Sequence, residues 1–115
     1  MGSLRDHLMC VYHITRREEL DCFIKYGLCL VAFQTGWCAP CRLQAPIVER
    51  LAADFQGQAK IAAADVDDLS DFAMSSHIRS IPTLILYQDG QEITRFVGLQ
   101  SEGVLSAALR KAFPG

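Results

Sequence analysis

Leu28 to Phe33 reads Leu-Cys-Leu-Val-Ala-Phe, six apolar residues with no alternation. A strand with one wet face alternates apolar and polar side chains, so an unbroken run must be covered on both sides. In a chain of 115 residues, that describes the central strand of a sheet with helices packed on each face, within one domain.

The remaining segments supply those layers. Met9 to Ile14 can form a first short strand, and Thr15-Arg16-Arg17-Glu18 has capping-box spacing for a helix that ends near Gly27. Leu20, Phe23 and Ile24 share one face of that helix, which suits it to cover a sheet. Cys38 to about Phe55 carries Val48, Leu51, Ala52 and Phe55 at helical spacing, with Pro46 expected to kink it. Ile61 to Val66 reads as a second buried strand, and Leu69 to Ser76 as a short helix facing inward through Leu69, Phe72 and Ala73. Leu84 to Tyr87 and Ile93 to Val97 flank Asp89-Gly90, a hairpin signal that makes the sheet mixed. Ser101 can cap a last helix with Leu105, Ala108, Leu109 and Ala112 as its apolar stripe. The expected fold class is therefore α/β, a central mixed five-stranded sheet flanked by four helices, in a single domain spanning residues 1–115. Residues 1–8 are read as a disordered or cloning-derived leader. Met1-Gly2 lacks a myristoylation pattern, because Asp6 stands where Ser or Thr is needed.

A net charge of -2 with acids and bases interspersed gives no basic surface for nucleic acid. No apolar run approaches the roughly 18 residues of a membrane span, and Arg5, Asp6 and His7 interrupt the stretch where a signal peptide needs an apolar core. A soluble protein without a membrane partner is expected. The five cysteines, at positions 10, 22, 29, 38 and 41, are an odd number. A secreted disulfide scaffold pairs its cysteines, so the count favours a reducing compartment, the cytoplasm.

Trp37-Cys38-Ala39-Pro40-Cys41 lies where the central strand hands over to the long helix. Disulfide exchange needs one thiolate to attack a substrate sulfur and a second thiol nearby to resolve the mixed disulfide. At a first helical turn, unpaired N–H groups and the positive end of the helix dipole stabilise a thiolate, which makes Cys38 the nucleophile. Cys41, one turn further in and more shielded, suits the resolving role. Pro40 lacks an N–H, which a first turn tolerates. The competing reading is half of a zinc site. A closed site needs two more ligands, and neither the other cysteines nor His7, His13 and His77 show a second paired spacing. Trp37 beside the nucleophile is read as docking surface rather than core.

Phe33 to Cys41, Pro46, the stretch Ile78-Arg79-Ser80-Ile81-Pro82-Thr83 and Val97-Gly98 resemble the thioredoxin family in order and spacing, over essentially the whole chain. The resemblance implies the thioredoxin fold, with Ile81-Pro82 as a cis peptide facing the cysteines and Ile81's backbone free to pair with an extended substrate segment. It implies that Gly98 keeps the groove open, with an ordinary turn glycine as the rival reading. Expected site residues are thus Cys38 and Cys41 for catalysis, as the redox-active disulfide, and Trp37, Ala39, Pro40, Ile81, Pro82 and Gly98 for substrate. The implied activity is protein disulfide reduction by thiol-disulfide exchange. Partners are disulfide-containing proteins and a thioredoxin reductase or equivalent electron donor, and the protein is expected to be a monomer with no cofactor and no metal. Two alternatives are an oxidant or isomerase of an oxidising compartment, and a binding module whose thiols are idle.

The sequence departs from the family at two buried positions. The family's Asp six residues before the nucleophile is replaced by Ala32, and counting back from Asp67 its Lys partner corresponds to Ala63. Loss of both charges together is physically coherent, since one buried charge without its partner costs several kcal/mol, whereas an apolar pair can be neutral. Gln34 stands where a second Trp is common, and Ala39 replaces the usual Gly. Of the remaining cysteines, Cys10 and Cys29 are expected to be buried and inert, and Cys22 to be reachable.

Overall fold

The computed structural model describes residues 11–113. In chain order it contains β1 (Val11–Ile14), α1 (Arg17–Ile24), β2 (Leu28–Gln34), α2 (Ala39–Asp54), β3 (Lys60–Asp65), α3 (Ser70–Ser75), β4 (Thr83–Gln88), β5 (Gln91–Val97) and α4 (Glu102–Ala112). Strand order across the sheet is β1-β3-β2-β4-β5. The first three of these strands run parallel, while β4 is antiparallel to β2 and β5 antiparallel to β4. The unbroken apolar run is therefore the middle strand, and no residue from Leu28 to Phe33 is more than 5 % exposed.

Alternation along β2 divides the core into two layers. Leu28, Leu30 and Ala32 face α2 and α4, where they cluster with Val48, Leu51, Leu105 and Leu109. Cys29, Val31 and Phe33 face the other way, into a cluster with Leu20 of α1, Leu69 just before α3 and Phe72 within it. Each fully buried aliphatic or aromatic side chain contributes on the order of 1.5 to 3 kcal/mol. With both faces filled in this way, the C-terminal end of β2 is a fixed platform for the cysteine-bearing turn.

Two local expectations are displaced. The helix start uses Glu19 rather than Glu18, and Glu19 Oε1 accepts from the N–H groups of Thr15 at 3.0 Å and Arg16 at 3.2 Å. Arg16 is the extended residue before the helix, so Glu19 is the one that reaches back. The Thr15 N–H above all holds the Glu19 carboxyl below its ordinary value. Helix α1 stops at Ile24 rather than near Gly27, which instead turns into β2 with φ +79°. There it is tied to the hairpin, because Gly27 N–H donates to Asp89 Oδ1 at 2.7 Å and Asp89 N–H to Gly27 O at 3.0 Å. Asp89 and Gly90 take φ +50° and +86°, the paired positive values of a two-residue hairpin turn. Ser101 caps α4 as expected, its Oγ accepting from Val104 N–H at 3.2 Å. Cys10 and His7 lie outside the described residues.

Candidate active site

Where β2 ends, Thr35 and Gly36 carry the chain to Trp37, and Cys38 is the extended residue immediately before α2 (φ -87°, ψ 117°). A residue in that position faces N–H groups that have no carbonyl one turn earlier. One of them is used here: Cys41 N–H donates to Cys38 Sγ at 3.2 Å. Pro40, in the first turn, removes an N–H that the helix would not have bonded. Cys38 and Cys41 are joined by a disulfide with their Cα atoms 5.2 Å apart. Contrary to the expected contrast in shielding, both are covered, at 5 % and 3 % exposure. What separates the two sulfurs is position: Cys38 caps the helix at its rim and Cys41 lies inside its first turn.

The second element of the site comes from the far side of the sheet's end. The Ile81-Pro82 peptide is cis, and Ile81 O lies 3.8 Å from Cys38 Sγ. Gly98 N–H donates to Pro82 O at 2.7 Å, so the end of β5 closes against the same loop. Gly98 has φ +92°, and an added Cβ there would meet nothing within 4 Å. Its requirement is therefore backbone conformation rather than space. The segment after Gly98 is held from α2 by Gln44, a residue only 1 % exposed. Gln44 Nε2 donates to Gln100 O at 3.0 Å, and Gln100 N–H donates to Gln44 Oε1 at 2.8 Å.

Trp37 is 70 % exposed, which places it on the surface beside Cys38 rather than in the core. Together with Ile81 it borders an open groove of about 510 Å3, whose far wall is Met74 and Ile78 and whose end carries Arg79. Ala39 and Pro40, which follow Cys38 in the chain, are exposed. All eight residues singled out from the sequence thus lie on or under this end of the sheet. Sequence reasoning missed Gln44, because a polar residue on an apolar helix face gives no sign of a partner 56 positions away. It also missed Met74, although that residue departs from the inward stripe Leu69, Phe72 and Ala73 and is 78 % exposed.

Ala32 and Ala63 are register partners on neighbouring strands, at 2 % and 8 % exposure, and both line a cavity against α2. The two departures that the family resemblance implied therefore meet in space, and their flanking partners in the same row are Leu84 and His13. Cys29 is buried and its Sγ lies 3.3 Å from Phe23 O, and burial pushes its thiol above the ordinary value. Cys22 is free and exposed.

The thioredoxin family profile matches residues 11–111. A thioredoxin of Staphylococcus aureus is 41% identical over 93 residues, covering 81% of this chain and 89% of that protein. Among solved structures, a point mutant of thioredoxin from Halobacterium salinarum superposes with a TM-score of 0.83 at 32% identity, over 90% of this chain and 91% of that one. Thioredoxin from Trypanosoma brucei brucei gives a TM-score of 0.82 at 24% identity, over 93% and 94%, a likeness of fold.

Proposed function

The chain belongs to the thioredoxin family and is a thiol-disulfide oxidoreductase, and from that premise we propose that it reduces protein disulfides with Cys38 as attacking thiol and Cys41 as resolving thiol. The Cys38 thiolate attacks one sulfur of a substrate disulfide, and the electron pair of the broken bond leaves on the other, which takes a proton from solvent. Cys41 then gives up its proton and attacks Cys38 Sγ. The mixed disulfide breaks, the second substrate thiolate departs, and two electrons have passed to the substrate. An electron-donating reductase restores the dithiol.

The observation that carries this assignment is the N–H of Cys41 on the sulfur of Cys38 at 3.2 Å. A donor so placed favours the thiolate over the thiol at that sulfur only. Substrate docking is assigned to the surface around it: an extended segment against the backbone of Ile81, with Pro82 and Gly98 shaping that edge, Trp37 as the apolar contact, and Ala39 and Pro40 as the exposed residues that follow the nucleophile. A reducing compartment, the cytoplasm, is the reading that the odd number of cysteines favours. Among the described residues no helix is long and apolar enough to cross a membrane.

The test is a pair of variants assayed on a protein disulfide. Cys38→Ser should abolish turnover. Cys41→Ser should still attack, accumulating covalent complexes through Cys38 that mass spectrometry locates and excess reductant dissolves. Substantial turnover in the first variant, or adducts on Cys22 in the second, would reverse the assignment.

A further inference from the structure

Resolution requires Cys41 to lose a proton inside a buried turn, and the residues of β2 and β3 that line the cavity under α2, Ala32, Gln34 and Ala63, carry no titratable group. The register extends that row by one strand: Ala63 is also the partner of His13 in β1. Partners across adjacent strands project from the same face, so His13, Ala63 and Ala32 form one line under α2, spanning about 10 Å at the usual strand spacing. With methyl groups at the two inner positions, no larger side chain in the row closes the line that runs from the imidazole across the sheet.

A cavity of about 80 Å3 occupies that line. Ala32, Gln34 and Ala63 line it from β2 and β3, Ala45, Val48 and Glu49 from α2, and Val11 and His13 from β1. Ala45 lies one helical turn beyond Cys41 on the same face of α2, so the cavity begins about 5 Å along the helix from the resolving cysteine. The volume exceeds the roughly 30 Å3 share of one water, and the polar side chains meet the condition for a hydrated rather than a dry cavity.

We infer that His13 is the proton acceptor for Cys41, acting through water held in this cavity. The Cys41 thiol proton passes to water and on to the neutral imidazole. The Cys41 thiolate forms the bond to Cys38 Sγ as the bond from Cys38 to substrate breaks, and the imidazolium later releases its proton to solvent. A neutral imidazole has one ring nitrogen free to accept a proton from water. Among the described residues, Glu49 of α2 is the one other titratable group lining the cavity. β3 contributes only Ala63, and α1 lies over the opposite face, where Tyr12 meets Phe23 at 5.2 Å.

The inference rests on Cys41 as the resolving thiol, and the assay separates the two claims. A mixed disulfide with a chromogenic aromatic thiol is formed on Cys38 and the release of that thiol is followed by stopped flow from pH 5 to 9. Cys38 cannot titrate in that species, so the profile reports Cys41 and its acceptor. The wild type should bend to a plateau in the imidazole range. His13→Gln should lose the bend, rise tenfold per pH unit toward the Cys41 pKa, and be about tenfold slower at pH 7, with the rate of attack by Cys38 unchanged. Ala63→Val, which fills the line while keeping His13, should give the same profile. An unaltered bend in His13→Gln overturns the inference even where Cys41→Ser still traps complexes. Failure of Cys41→Ser to trap them overturns the resolving role instead.

Discussion

Restoring the missing carboxylate alone, with Ala32→Asp, places an acid at a position 2 % exposed in the layer that contains Leu30, Val48 and Leu84. Burial disfavours the charged form, so the folded-state pKa should rise above the unfolded value of about 3.9. A rise of about 3 units, within the range for buried carboxyls, corresponds to about 4 kcal/mol at 1.36 kcal/mol per unit. Linkage sets the sign. Below the unfolded pKa both states hold the proton and the charge penalty is absent. As pH climbs above about 4 the unfolded state releases its proton first, and stability falls until the folded pKa is passed. Urea denaturation at pH 3.5 and pH 8 should therefore show a loss relative to wild type that is small in acid and about 4 kcal/mol in base. Adding Ala63→Lys supplies the register partner and should recover part of the basic-side loss, with a coupling of about 0.5 to 3 kcal/mol in a double-mutant cycle. An equal loss at both pH values would show that the penalty is steric, and strict additivity would show that the two side chains do not meet.

Cys22 should be alkylated in the folded protein within the time that leaves Cys29 intact, since one is exposed and the other is buried with its thiol pushed up; peptide mapping after a brief iodoacetamide pulse checks this, and comparable labelling would contradict the burial. Gln44→Leu should cost about 1 to 3 kcal/mol in thermal unfolding, because it strands the N–H and C=O of Gln100 beside a nearly closed site. It should also raise KM for protein disulfides more than it lowers the rate of small-disulfide reduction, the signature of a loosened Gly98 edge. A variant with unchanged stability would show that water replaces the amide without loss.

The fold was legible because its strongest signals are local. Six apolar residues from Leu28 to Phe33 can be satisfied only between two helical layers, and Asp89-Gly90 between apolar runs leaves little choice but a hairpin. Boundaries slipped where several residues compete for one role, as at Glu18 and Glu19, which differ only in which of them is third in the helix. The cysteine site was legible for the same reason as the fold: a strand end, a Cys-x-x-Cys spacing and a helix start are contiguous in the chain. Gln44 and the Met74 wall were not, since each depends on which surfaces come to rest beside the site.

The alanine pair shows why that distinction bears on mechanism. The resemblance to the family implied two absences, at Ala32 and Ala63, and the natural expectation is that resolution without a buried acid is slow. Register adds what the resemblance cannot: the two absences are adjacent, and the next residue in their row is a histidine. Parallel pairing aligns β1 with β3 through residues fifty positions apart, so no short window of sequence contains both His13 and Ala63. Two small side chains between a base and a buried thiol form a path where one would leave a block, because a larger residue at either position would fill the line and exclude water. Simultaneous loss of both charged partners is thus not merely tolerable on electrostatic grounds. It opens the space that lets an acceptor at the sheet edge take over the proton, and it ties the function of His13 to the size of residues 32 and 63 rather than to any contact His13 makes with the cysteines.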